Sequence, residues 1–170
     1  VGTNLTGNQN YYDADPTAGP ATVLPLATPI TTDTTVWIFD ETLTTPNCQA
    51  TPITFNVDIE LSPSITNPGP QTACDTFTLP VITGSSLTGG EQYFNNSQVA
   101  GGTPITGPIT TTQTVWIYDS AGTAPNVCDD EVSFVVTIFD TPVVNNPGNQ
   151  SVCDTFTLPA ITGTNLTGNQ

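Results

Sequence analysis

Lysine, arginine, histidine and methionine are absent from these 170 residues. Without a cationic side chain nothing neutralises phosphates, so nucleic-acid binding is excluded. A polybasic membrane patch is excluded for the same reason. Without His or Lys, a Ser, Thr or Cys nucleophile has no ordinary general base, which removes the usual triads. A zinc site is disfavoured by the lack of His and of any CxxC spacing. No run of about 18 apolar residues occurs, so no membrane insertion is expected. Trypsin-like proteases find no cleavage site, which suits an exposed extracellular surface. No signal peptide is visible; Val1 is unlike a natural start, and the chain reads as a window cut from a longer one.

Charge is scarce and of one sign. All 15 charged side chains are Asp or Glu, and charged residues make up only 9% of the chain. Hydrophobic residues still make up 36%, enough for a core, which argues against a disordered acidic tail. The abundant residues are threonine (34), proline (16) and glycine (14).

The chain repeats itself. "ACDTFTLPVITGSSLTGGEQYF" (73–94) matches "VCDTFTLPAITGTNLTGNQ" (152–170), with Cys74 and Cys153 79 apart. "TTVWIFDETLTTPNC" (34–48) matches "QTVWIYDSAGTAPNVC" (113–128), with Trp37 and Trp116 79 apart and Cys48 and Cys128 80 apart. Residues 54–74 align without a gap to 133–153, and Leu5 of "TNLTGNQNYY" matches Leu87 of "SSLTGGEQYF", 82 apart. This predicts a tandem array with a period of about 80 residues. Residues 1–65 form a repeat lacking its first strand, 66–144 a complete repeat, and 145–170 the opening of a third.

"TPITFNVDIEL" alternates strictly, with Ile53, Phe55, Val57, Ile59 and Leu61 on one side, as a half-buried strand does. "TTVWIF" and "QTVWIY" are rich in β-branched and aromatic residues and are also expected as strands. "DTFTLP" places Phe77 and Leu79 on one face before Pro80 ends it, and its copy does the same with Phe156 and Leu158. Gly, Pro, Asn and Thr clusters separate these stretches as turns. The expected fold is all-β, as tandem immunoglobulin-like β-sandwich repeats. "SPSITNPGP" (62–70) and "TPVVNNPGN" (141–149) are expected to be stiff, extended linkers.

A domain this small often needs a staple, and two cysteines per repeat suit an oxidising, extracellular setting. Two pairings remain open: within a repeat, Cys74 with Cys128, or across the linker, Cys48 with Cys74 and Cys128 with Cys153. The first is expected if the Cys74 segment begins its sandwich at the same end as Cys128. Cys48 and Cys153 would then find partners outside the window. The alternative is a pair of buried free thiols.

No enzyme is expected. Asp129, Asp130 and Glu131 form the densest acidic cluster, but the matching stretch "CQATPITF" holds no acid, so they are taken as solvated loop acids and not as a glycosidase pair. Calcium is the one ion with candidates, Asp13 and Asp15 in "YYDADP" and Asp129, Asp130 and Glu131, although neither stretch resembles an EF-hand loop. No other cofactor is expected. Trp37 and Trp116, flanked by Val and Ile, are assigned to core packing ahead of sugar stacking. Tyr11, Tyr12 and Tyr93 follow turn-rich stretches and are expected to be exposed. Asn4, Asn95, Asn149 and Asn165 stand in N-x-S/T sequons, a pattern that chance supplies readily in so threonine-rich a chain.

"CDTFTLPAITGTNLTGNQ", followed by "YY", "TTVWIFDETLTTPNC" and a last strand like "FNVDI", resembles the tandem repeats of very large cell-surface adhesins of Bacteroidota, including gliding-motility adhesins of the SprB type. The resemblance covers nearly the whole chain. It implies an immunoglobulin-like module repeated along a stalk or filament at the cell surface, secreted by the type IX system. It also implies O-glycans at Asp-Ser/Thr-x sites, which makes Thr34 of Asp33-Thr34-Thr35 and Ser120 of Asp119-Ser120-Ala121 glycosylation candidates. The expected function is a structural repeat segment whose partners are neighbouring repeats or identical chains in a fibre. The alternatives are a self-assembling subunit that donates the spare strand of 152–170, and a module binding surface glycans through Tyr11 or Tyr93.

Overall fold

Threonine, valine and isoleucine crowd the backbone at Cβ and favour extended chain, and proline recurs too often for a helix to run. The computed structural model describes residues 2–168, which are all-β with no helix among them. Among the described residues no helix is long and apolar enough to cross a membrane. The chain divides into two compact units, Val1–Glu60 and Leu61–Gln170.

The first unit holds one four-stranded antiparallel sheet. Its strands are β1 (Asn10–Tyr12), β2 (Val23–Leu24), β3 (Thr34–Phe39) and β4 (Ile53–Val57), in the order β2-β1-β3-β4. β3 pairs with β4 from Thr34 opposite Val57 to Ile38 opposite Ile53. β4 is thus an edge strand, paired on one side only.

The second unit builds its main sheet from β6 (Gln71–Cys74), β8 (Gln92–Phe94), β9 (Gln113–Thr123) and β10 (Asn126–Phe139), in the order β6-β10-β9-β8. β9 and β10 make a long hairpin, from Gln113 opposite Val136 to Thr123 opposite Asn126. β6 covers the other edge of β10 in parallel, Gln71 beside Val136 and Cys74 beside Phe139. Two small antiparallel ladders complete the unit: β5 (Ser64–Ile65) with β7 (Gly84–Ser85), and β11 (Val143–Val144) with β12 (Gly163–Thr164). Both depend on a residue without a side chain. A Cβ on Gly84 would stand 2.2 Å from the Ser64 carbonyl oxygen, and one on Gly163 would stand 2.0 Å from that of Val143.

Alternation along β9 and β10 sends Val115, Ile117, Phe134 and Val136 to one face, where they are buried with Ile65, Tyr93 and Ile109. Phe77, Leu79, Ile82 and Leu87 pack over them from the connecting chain. The expected strand at "DTFTLP" is only a single bridge, Phe77 to Ile109, yet Phe77 and Leu79 do face the same core. Residues 62–70 differ from the expected linker. Ile65 is a core residue, and its N–H donates to Asp130 Oδ2 at 2.6 Å. A large β-branched side chain within reach of an apolar face does not stay in a spacer, and the unit boundary falls ahead of it, between Glu60 and Leu61.

Candidate functional site

Among the described residues the buried charged group is a carboxylate that precedes Ser120 in the sequence. Asp119 is on the core side of β9 and 1% exposed. It accepts hydrogen bonds from the N–H and hydroxyl of Thr88 and from the N–H of Ser120. Burial alone would raise its pKa, but the three bonds together outweigh it and hold the carboxyl below its ordinary range. The first unit repeats the arrangement with Asp40 and Thr6, whose hydroxyl and N–H both reach the carboxylate. There the Thr6 hydroxyl is the main cause of the lowered pKa. The signal was present in the sequence as Thr6 with Asp40 and Thr88 with Asp119, in matching registers.

Asp119→Asn is expected to lower the unfolding free energy of Leu61–Gln170 by about 2 kcal/mol at neutral pH. The folded-state pKa lies below the unfolded one, so the contribution is complete above about pH 4 and fades as pH falls through the folded value. Urea titrations followed at Trp116 should show the gap between the two proteins closing in acid. A gap of equal size at pH 3 and pH 7 would remove the charge from the explanation.

Among the described residues no three Asp, Glu or Cys side chains are grouped to hold a metal. Most of the calcium candidates bond to the protein itself. Asp13 accepts from Thr22 N at 2.6 Å, and Asp15 accepts from Thr17 N and Oγ at 2.8 and 2.7 Å. Asp129, Asp130 and Glu131 are not loop acids but part of β10, where alternation turns Asp130 away from its neighbours. Glu131 binds Ser97 Oγ at 2.7 Å and Gln98 N at 2.6 Å.

The aromatic residues correct two expectations. Tyr93 is buried rather than exposed, packs edge-on to Phe134 and donates its hydroxyl to the Pro80 carbonyl at 3.0 Å. Burial pushes its phenol pKa up. Trp116 does not join the core, because period two turns it and Tyr118 to the face opposite Val115 and Ile117. There it stands across from Phe94, which Tyr118 meets edge-on. Trp37 is placed likewise beside buried Val36 and Phe39, opposite Tyr12.

The expected Cys74–Cys128 disulfide is not formed. β6 runs parallel to β10, so Cys74 lies beside Phe139, while Cys128 lies at the other end of β10 beside Ala121. At about 3.3 Å per residue that separation is on the order of 36 Å, against about 5.5 Å for a bonded pair. The Cys74 segment does lie beside the last strand, but at its far end. Cys48 and Cys153 are exposed. Of the glycan candidates, Ser120 is exposed and Thr34 half-buried, with Asp33 accepting from Ile59 N at 2.8 Å.

The feature of the first unit that invites a ligand is an uncovered apolar face. Tyr11, Leu24, Leu26, Ile30, Val36 and Phe55 line an open depression of about 240 Å³. Phe55 is 43% exposed and Tyr11 37%, whereas their matches Phe134 and Tyr93 are 4% and 8% exposed. The difference lies in what covers them. Phe77 and Leu79 sit over the second unit's core, and among the described residues of the first unit none plays that part.

No family model, curated protein or solved structure matches this chain. The depression holds aliphatic and aromatic side chains and one edge of open backbone, which suits an extended apolar polypeptide better than a charged small molecule.

Proposed function

We propose that the chain is a structural segment of an extracellular adhesin, stalk or surface filament, built from immunoglobulin-like repeats about 80 residues long. The observation that carries this reading is the return of the same local devices in the same register. The β5–β7 ladder pairs Ser64 with Ser85, and the β11–β12 ladder pairs Val143 with Thr164, each residue 79 further on. The Thr–Asp clamp recurs at matching positions, Thr6 on Asp40 and Thr88 on Asp119. Asn4, Ser86 and Asn165, in matching positions, all adopt left-handed backbone with φ of 59°, 54° and 55°. Devices shared this way serve folding, since Asp119 and Asp40 hold loops instead of facing a substrate. The acidic surface keeps such rods apart and soluble, and the resemblance to Bacteroidota surface adhesins points to export and display at the cell surface.

Proteins carrying two, three and four copies of residues 66–144 test the reading. Small-angle scattering should give a maximum dimension that grows by a constant increment per copy. Stretching one molecule should give evenly spaced unfolding events, each releasing on the order of 25 nm of chain. Collapse into a globule, or uneven releases, would count against a rod of equal modules. Saturable glycan binding lost in Tyr11→Ala would favour a carbohydrate-binding module instead.

A further inference from the structure

We propose that Asp75, Thr141 and Asn165 form a clasp that fixes the direction in which one repeat hands the chain to the next. This rests on the reading of residues 66–144 as one repeat. Thr141 stands two residues past the end of β10 and two residues ahead of β11, so it is the joint between the long hairpin and the β11–β12 ladder. Its N–H donates to Asp75 Oδ1 at 2.9 Å and its hydroxyl to Asp75 Oδ2 at 2.5 Å. Its carbonyl accepts from Asn165 Nδ2 at 3.3 Å. One residue is thereby held on both sides: by Asp75, which follows β6, and by Asn165, which follows β12.

The carboxylate is aimed by backbone that is already ordered. The parallel ladder ends with Cys74 beside Phe139, and the Asp75 N–H extends it by donating to the Phe139 carbonyl at 2.9 Å. Asp75 then turns into left-handed backbone, φ 59°, and the Thr76 N–H closes back on the Cys74 carbonyl at 2.6 Å. Asn165 adopts the same region, φ 55°. Asp and Asn tolerate that conformation better than other residues with side chains. Thr141 precedes Pro142, which keeps Thr141 extended while the ring fixes the next φ. The joint therefore has few soft dihedrals, and the clasp closes on those that remain. A single bond at the surface contributes little. Here two bonds converge on one ionised group that the ladder has already placed, so closing them loses little entropy.

The parts return with the repeat period. Asp154 matches Asp75 in type and in backbone, φ 66°, and the Thr155 N–H closes on the Cys153 carbonyl at 2.9 Å. Ser62 precedes Pro63 as Thr141 precedes Pro142, with a hydroxyl in the same place. A polar device of this kind at the surface adds nothing to the apolar core. It is what a joint of fixed angle requires.

The test uses the full chain carrying Cys48→Ser, Cys74→Ser, Cys128→Ser and Cys153→Ser, with spin labels on Val127→Cys and Thr164→Cys, both at exposed positions. Pulsed dipolar spectroscopy should give one narrow distribution of distances between hairpin tip and ladder. Asp75→Gly keeps the left-handed backbone and deletes the acceptor. It should widen the distribution about twofold and speed hydrogen exchange at the Thr141 amide about tenfold. Asp75→Asn retains one acceptor oxygen and should fall between. Thr141→Val removes only the hydroxyl bond and serves if Asp75→Gly disturbs folding. The Asn145 amide, which donates to the Thr162 carbonyl, should keep its protection, as should the amides paired between β9 and β10. A distribution already broad in the parent chain overturns the proposal, as does one that Asp75→Gly leaves unchanged. Equal loss of protection at Thr141, at Asn145 and in the hairpin would overturn it too, because Asp75 would then be a general stabilising residue. The scattering series on tandem copies of residues 66–144 decides the repeat reading separately. A constant increment with labels indifferent to Asp75→Gly removes the clasp and leaves the repeat standing. Uneven increments remove the repeat, and the clasp then joins nothing.

Discussion

Replacing Val1 with a second copy of residues 61–83 will raise the unfolding free energy of the first unit by about 3 kcal/mol. The joint is dictated by register. Thr83 would precede Gly2 as it now precedes Gly84, and Leu5 stands to Gly2 as Leu87 stands to Gly84. The added segment brings side chains equivalent to Ile65, Phe77, Leu79 and Ile82, which cover the second unit's core. Each such side chain is worth about 2 kcal/mol when fully buried. Ordering the added backbone opposes that gain. Each unit carries a single tryptophan, Trp37 or Trp116, so Trp116→Phe lets urea titration report on the first unit alone. Phe55 and Tyr11 should become protected at the same time. An unchanged midpoint would mean that the first unit is not an incomplete version of the second.

The same aromatic position should have opposite importance in the two units. Phe134→Ala will cost the second unit about 4 kcal/mol, because Phe134 is 4% exposed and meets Tyr93 edge-on with ring centres 6.2 Å apart. Phe55→Ala will cost the first unit only about 1 kcal/mol, since Phe55 is 43% exposed and leaves little cavity behind. Denaturation followed at Trp116 in a Trp37→Phe background, and the reverse, gives both values. Equal losses would show that Phe55 is covered in solution, and the open face would then have to be abandoned.

Local pattern predicted much of this architecture. The β-branched runs at 34–39 and 113–118 do form strands, because crowding at Cβ acts over a few residues, whereas of the alternation at 53–61 only Ile53–Val57 pairs, and Ile53, Phe55 and Leu61 are exposed. The "CDDE" stretch was missed as a strand, since acids are poor strand formers taken alone. It pairs because the hairpin of β9 and β10 carries it along, with Asp130 meeting Ile65 N and Glu131 meeting Gln98 N. Trp116 was assigned to the wrong face because its apolar neighbours set an expectation that alternation overrides. The Cys74–Cys128 expectation failed on the one thing spacing does not encode, namely which end of β10 the preceding strand reaches. The open face itself was not legible, because how far Phe55 and Tyr11 are uncovered depends on packing across the sheet.

The parallel pairing of β6 with β10 has a mechanical consequence. Within residues 66–139 β6 is the first strand and β10 the last, so a pull on the two ends of that stretch drags these strands past each other lengthwise. Every hydrogen bond from Gln71 beside Val136 to Cys74 beside Phe139 then bears load at once, and all must give way together. Antiparallel neighbours pulled from one end would instead peel apart bond by bond under much smaller force. A tether made of such modules resists sudden traction by its wiring, before any gain in equilibrium stability is counted.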